Sequence, residues 1–146
     1  MRKSAIVALS VLALALPSVD AWAAAHQTIS KTVVKKKVVV AKKSFNGIAA
    51  QADRWGPLQV TIVVKKTTTT VGKKKTVVRR MTSVTVPVFP NHTDRSIYIN
   101  QQALPYLVQE ALQVQGSGVN MISGATNSSD AFAQSLQSAI LSAKAW

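Results

Sequence analysis

The chain has 146 residues, with 18 basic side chains against 5 acidic ones, a formal net charge of +13 and no cysteine. That length holds one small domain. The lack of cysteine excludes a disulfide framework, a lipid-modified cysteine anchor and a Cys-ligated zinc site, and the charge suits anionic partners.

Arg2 and Lys3 precede an apolar run from Ala5 to Leu16, Pro17 breaks it, and Ala21-Trp22-Ala23 follows with small residues at the right spacing for cleavage. This pattern predicts a secretory signal peptide over residues 1–24, hence an exported protein. Residues 25–44 are low in complexity, rich in lysine and valine. They read as a self-repelling tether or a short first strand, and charge density favours the tether. Residues 45–146 are then the folded domain.

Within it, Phe45 to Arg54 is a weak strand candidate. Leu58 to Val64 alternates and is β-branched, and Thr76 to Val88 is a second strong strand. The Thr- and Lys-rich segment Lys65 to Lys75, around Gly72, reads as the basic tip of the hairpin joining them. Pro87 and Pro90 close the second strand. Asn100 is positioned to cap a helix whose apolar face is Leu104, Leu107, Val108, Ala111 and Leu112. Pro105 belongs in a first turn, so the regular helix is expected to start near Leu104. Gly116-Ser117-Gly118 stops it. Phe132, Leu136, Ala139, Ile140 and Ala143 mark a second amphipathic helix from Ser128 to about Lys144. The expected class is α+β: a small antiparallel sheet with a long hairpin, then two amphipathic helices packed on it.

Acid–base chemistry has few players. Past residue 24 the acids are Asp53, Asp94, Glu110 and Asp130, and the histidines are His26 and His92. Neither paired carboxylates nor a metal-binding or nucleophile-elbow motif is present, so redox chemistry would need a cofactor. The stretch Asn120 to Ser129 is the richest. Ser123, Gly124 and Ala125 form a small-residue turn that opens a helix, where N–H groups and the helix dipole favour an anion. Thr126 puts a hydroxyl at that point, with Asn127 beside it. The plainer alternative is a helix cap. Trp55 is either a core residue or a wall for a flat ring; Tyr98 and Tyr106 are weaker candidates for that role. His92 reads as a solvated side chain.

Ser123-Gly124-Ala125-Thr126 resembles the attachment motif of the FMN-binding domain family. Further collinear matches are Arg54-Trp55-Gly56-Pro57-Leu58-Gln59-Val60, Ile99-Asn100, Ala103-Leu104-Pro105, Gln109-Glu110-Ala111-Leu112 and Ser135-Leu136-Gln137-Ser138-Ala139. Over residues 52–144 the chain is similar to small exported actinobacterial members. More distantly it is similar to the flavin-carrying component of the sodium-pumping NADH:quinone reductase. The resemblance implies FMN as cofactor, joined by a phosphoester to Thr126, with a flavin transferase as attaching partner and a membrane redox partner. The family motif begins with Asp where this chain has Asn120, which puts attachment in question.

The sequence thus leads to an exported electron carrier with Thr126, Ser123, Gly124, Ala125, Asn120, Asn127 and Trp55 around FMN and no catalytic residue of its own. The competing expectation is a basic binding module for cell-wall polymers or an anionic membrane that keeps the fold without flavin. No nucleic-acid recognition motif is present.

Overall fold

The computed structural model describes residues 35–146; the expected signal peptide and residues 25–34 lie outside them. The elements are β1 (Lys36–Asn46), β2 (Ala50–Gln51), a 3-10 turn (Asp53–Trp55), β3 (Pro57–Val71), β4 (Lys74–Val88), α1 (Asp94–Val114) and α2 (Thr126–Lys144). The class is α+β. Strand β3 is the spine of the antiparallel sheet. It pairs with β1 and β4 along most of its length and with β2 at its start.

Alternation on β3 decides where the core lies. Leu58, Val60, Ile62 and Val64 all point to one face and are buried. Both helices cover that face, α2 chiefly over β3 and α1 over β4. They contribute Leu104, Leu107 and Ala111 from α1, and Phe132, Leu136, Ala139 and Ala143 from α2. Each large side chain buried this way stabilises the fold by roughly 1.5–3 kcal/mol. The expected apolar faces of both helices are the ones that pack.

Three sequence expectations are corrected. Residues 36–44 are strand, not tether: β1 pairs with β3 from Lys36 opposite Val71 to Asn46 opposite Thr61. Val38, Val39 and Val40 suit an extended, laterally paired backbone, and the pairing outweighs repulsion among the lysines. The segment Lys65 to Lys75 is not a broad tip. Both strands run on to Val71 opposite Lys74, leaving only Gly72 and Lys73 as the turn. Gly72 has φ 58°, and a two-residue hairpin loop needs such a residue to follow the strand twist. The weak strand at Phe45 to Arg54 divides into the end of β1, the short β2 and the 3-10 turn.

Helix α1 starts well before the expected point, at Asp94 rather than near Leu104. Thr93 caps it, its Oγ1 accepting from Ser96 N at 3.1 Å. Pro105 sits inside the helix. It cannot donate to the Gln101 carbonyl, and both residues lie on the exposed side, where solvent limits the cost. The helix ends at Val114, just before the expected Gly116. The left-handed residue there is Gln115, φ 52°. Its side-chain amide completes the ladder where β4 bulges: Oε1 accepts from Met81 N at 2.8 Å and Nε2 donates to Met81 O at 3.0 Å.

Ser135 fixes α2 on the sheet. Its fully buried hydroxyl accepts from Val60 N at 2.9 Å and donates to Ile48 O at 2.6 Å. Gly47 allows the close approach, since a Cβ there would collide with the Ser135 carbonyl. Replacing Ser135 by alanine strands two backbone groups. Ser135→Ala is expected to lower unfolding free energy by about 2 kcal/mol, measured by urea denaturation; a loss below about 0.5 kcal/mol would show the hydroxyl is not the clamp.

Candidate functional site at the two helix starts

The first turns of α1 and α2 open onto one cavity of about 230 Å³. Its walls are Trp55 from the 3-10 turn, Pro90 after β4, Arg95, Ser96, Ile99 and Asn100 on one side of α1, and the run Gly124 to Ser128. Both helix dipoles therefore direct their positive ends to the same small volume.

The two helix starts differ. At α1, Thr93 takes up the Ser96 amide and also donates to Ser96 Oγ at 2.8 Å. At α2 the N-cap position is Ala125, which has no side-chain acceptor to offer. Thr126, expected as either a cap or a ligand residue, is the first helical residue and caps nothing. The amides of Thr126, Asn127 and Ser128 precede the first intrahelical donor, Ser129 N, which reaches Ala125 O at 2.9 Å. They are left for an outside acceptor.

The loop ahead of α2 is held by its own bonds. Ala125 N donates to Ile122 O at 2.9 Å, and Ser129 Oγ accepts from Ile122 N at 3.2 Å and donates to Ala125 O at 3.0 Å. Gly124 turns through φ 80° with open space where a Cβ would stand. The glycine serves the turn, and the space beside it belongs to the cavity.

Asn100 is a second unsatisfied group. It is 2% exposed, and its Nδ2 donates to Pro90 O and Ser96 O, both at 3.0 Å. Two carbonyl acceptors fix which end is the amide nitrogen. Its Oδ1 is buried without a partner. The cavity thus offers free N–H donors at α2 and an exposed cation at Arg95, while the partnerless Asn100 Oδ1 is closed off within a wall residue.

Trp55 stands on the cavity wall, half-buried, with the Arg54 guanidinium 4.9 Å from its ring centroid and His92 stacked at 6.3 Å. His92 is exposed, as expected, and stacks on this one ring. Tyr98 and Tyr106 are exposed and do not line the cavity.

Of the residues expected at the site, Gly124, Ala125, Thr126, Asn127 and Trp55 come together there. Ser123 and Asn120 are not among the lining residues. Asn120 is bound instead to Glu110 of α1: its backbone N donates to Oε2 at 3.0 Å and its Nδ2 donates to Oε1. This pairing favours an amide at 120, since an aspartate there would face the Glu110 carboxylate. The sequence reading missed Arg95 and Ser96, and took Asn100 for a cap. The signal for Asn100 was its spacing: it lies four and seven residues before Leu104 and Leu107, on the buried stripe.

Among known proteins, no protein-family model and no curated sequence matches the chain.

The Asn120–Glu110 pairing predicts a coupled pair of variants. Asn120→Asp is expected to lower the urea midpoint through like-charge repulsion, and adding Glu110→Gln to restore it. Equal midpoints for wild type and Asn120→Asp would show that the pair carries no coupling.

Proposed function

We propose that this protein carries FMN joined through its phosphate to Thr126 and serves electron transfer outside the cytoplasm. The observation that carries the reading is the cavity itself. An exposed Thr126 stands beside uncapped helix amides on the wall of one cavity. Free N–H groups at a helix start suit a phosphate. A polyol chain joined to that phosphate adds hydroxyls that can pair with Ser96, Asn127 and Arg95 on the walls. FMN presents both chemistries in sequence along its tail. The cavity is below the roughly 300–1,000 Å³ of sites that engulf drug-sized ligands. It suits the tail, with the flat ring at the mouth, where Trp55 stands.

Attachment is a phosphoryl-group exchange. Thr126 Oγ1 attacks the FMN phosphorus of FAD, an Oγ1–P bond forms, and the pyrophosphate bond breaks. AMP leaves with the proton from the hydroxyl. A separate flavin transferase performs this step, which fits a cavity lined by neither a carboxylate nor a histidine. Arg95 lies where it offsets the charge remaining on the phosphodiester. When bound, the flavin supplies one- or two-electron redox chemistry. The chain's residues would hold and orient it: the amides of residues 126–128 would take the phosphate, and Trp55 would flank the ring. A tether also keeps the cofactor with an exported protein. A membrane-bound reductase is the natural electron donor for such a carrier.

Co-expression of the full chain with a flavin transferase in an exporting host tests this by intact mass. The wild type is expected to gain one FMN less one water, and Thr126→Ala to gain nothing. If the wild type is unmodified but the Asn120→Asp/Glu110→Gln variant is modified, the fold is retained and the attachment signal has decayed. If no form is modified, the flavin reading fails and a basic binding module replaces it.

A further inference from the structure

The last contacts of the sheet with the helical layer are at the Lys66–Arg79 row, where the Lys66 ammonium donates to the Trp146 carbonyl and stands 4.8 Å over its ring and Arg79 lines a pocket with Ala143 and Lys144. Seven residues of β3, Lys65 to Val71, continue with β1 and β4 on either side as a three-stranded arm, roughly 24 Å long at about 3.4 Å per residue. Residues of β1 and β4 along it are mostly exposed.

Register fixes the charges on this arm. Lys65 lies opposite Lys42 on one side and Arg80 on the other, so three cations form one row across one face. Towards the turn, Val71 lies between Lys36 and Lys74, and on the other face Thr70 lies between Lys37 and Lys75. The acids of the described residues are Asp53, Asp94, Glu110 and Asp130, and none is on β1, β3 or β4. Like charges directly opposite each other destabilise a sheet. Lysine on an edge strand has a separate use, since it blocks edge-to-edge pairing. Lys65 is on the central strand, where no edge needs protection. No acid on the strands answers this row, which leaves it open to an outside anion.

We infer that the arm is a docking surface for a linear phosphodiester polymer of polyol units, bound through the Lys42–Lys65–Arg80 row. Four features select that chemistry. Cations occupy both faces and the turn, where Lys73 adds one more, which suits a flexible chain better than a plane. The exposed apolar residues of the arm are valines, Val38, Val40 and Val78 among them. A membrane-surface element uses Trp, Phe or Leu to enter the lipid. Residues 36–44 and 65–80 contain no aromatic side chain on which a nucleic-acid base could stack, and the rings set against them, Phe45 and Trp146, pack on each other beneath Lys43 and Lys66. Their threonines, Thr67 to Thr70 and Thr76, offer hydroxyls suited to phosphate and polyol groups.

The inference is independent of the flavin reading, and the test keeps the two apart. Binding of the full chain to poly(glycerol phosphate) is measured across a salt series, beside Lys42→Gln/Lys65→Gln/Arg80→Gln. The wild type is expected to bind with strong salt dependence. The triple variant is expected to bind at least about tenfold more weakly at about 50 mM salt, with a log–log salt slope shallower by about 2, as for loss of three phosphate contacts. Its melting temperature is expected to equal or exceed that of the wild type, which excludes unfolding as the cause. Lys42→Arg/Lys65→Arg should bind like the wild type, and so should Thr126→Ala. Wild-type affinity in the triple variant overturns the proposal. So does tighter binding to single-stranded DNA of equal charge, or to phosphatidylglycerol vesicles, than to the polymer.

Discussion

The Ser135 hydroxyl is the contact on which the site depends. It takes the Val60 amide of the central strand and gives its proton to the Ile48 carbonyl. That sets the depth and rotation of α2 on the sheet. Phe132 and Leu136 then fill the core beside Leu58 and Ile62. The start of the same helix, less than three turns away, falls beside the start of α1 and the 3-10 turn carrying Trp55. Gly47 belongs to the same arrangement, because any side chain there would push α2 off the strand.

From this follows a contrast between the two helix starts. Thr93 closes the first with its own side chain. At the second, Ala125 occupies the capping position although Ser and Thr lie close by in sequence. A capping side chain at 125 would gain about 1 kcal/mol of stability and would compete for the amides that an anion needs. Asn100 carries a similar cost, a buried oxygen without a partner. The unpartnered donors stand at the cavity, and the unpartnered acceptor is buried within one of its wall residues. The basic arm has the same character: like charges facing each other across the central strand, tolerated by the fold and answered by no acid on the strands of the sheet.

Much of this was legible in the sequence. Alternation at Leu58 to Val64 located the central strand, and 3.6-residue spacing located both helices and their buried faces. The small-residue turn at Ser123 to Thr126 led to the cavity. What was not legible depended on pairing between distant segments. Lysine-rich residues 36–44 read as tether because their repulsion is local, whereas the β3 backbone that orders them lies about 25 residues further on. Pro105 read as a helix start because its steric cost is local, whereas the packing of Leu104 and Leu107 that overrides it is not. Asn120 read as a cofactor residue because its partner, Glu110, is on another element.

The central claim is that the cavity at the two helix starts, rather than the arm, receives the phosphate and polyol tail of FMN. Titrating the isotope-labelled chain with FMN, without transferase, and following amide resonances tests it most directly. The account predicts shifts concentrated at the amides of Thr126, Asn127 and Ser128. Shifts confined to the lysines of the arm, with the α2 amides unmoved, would contradict it.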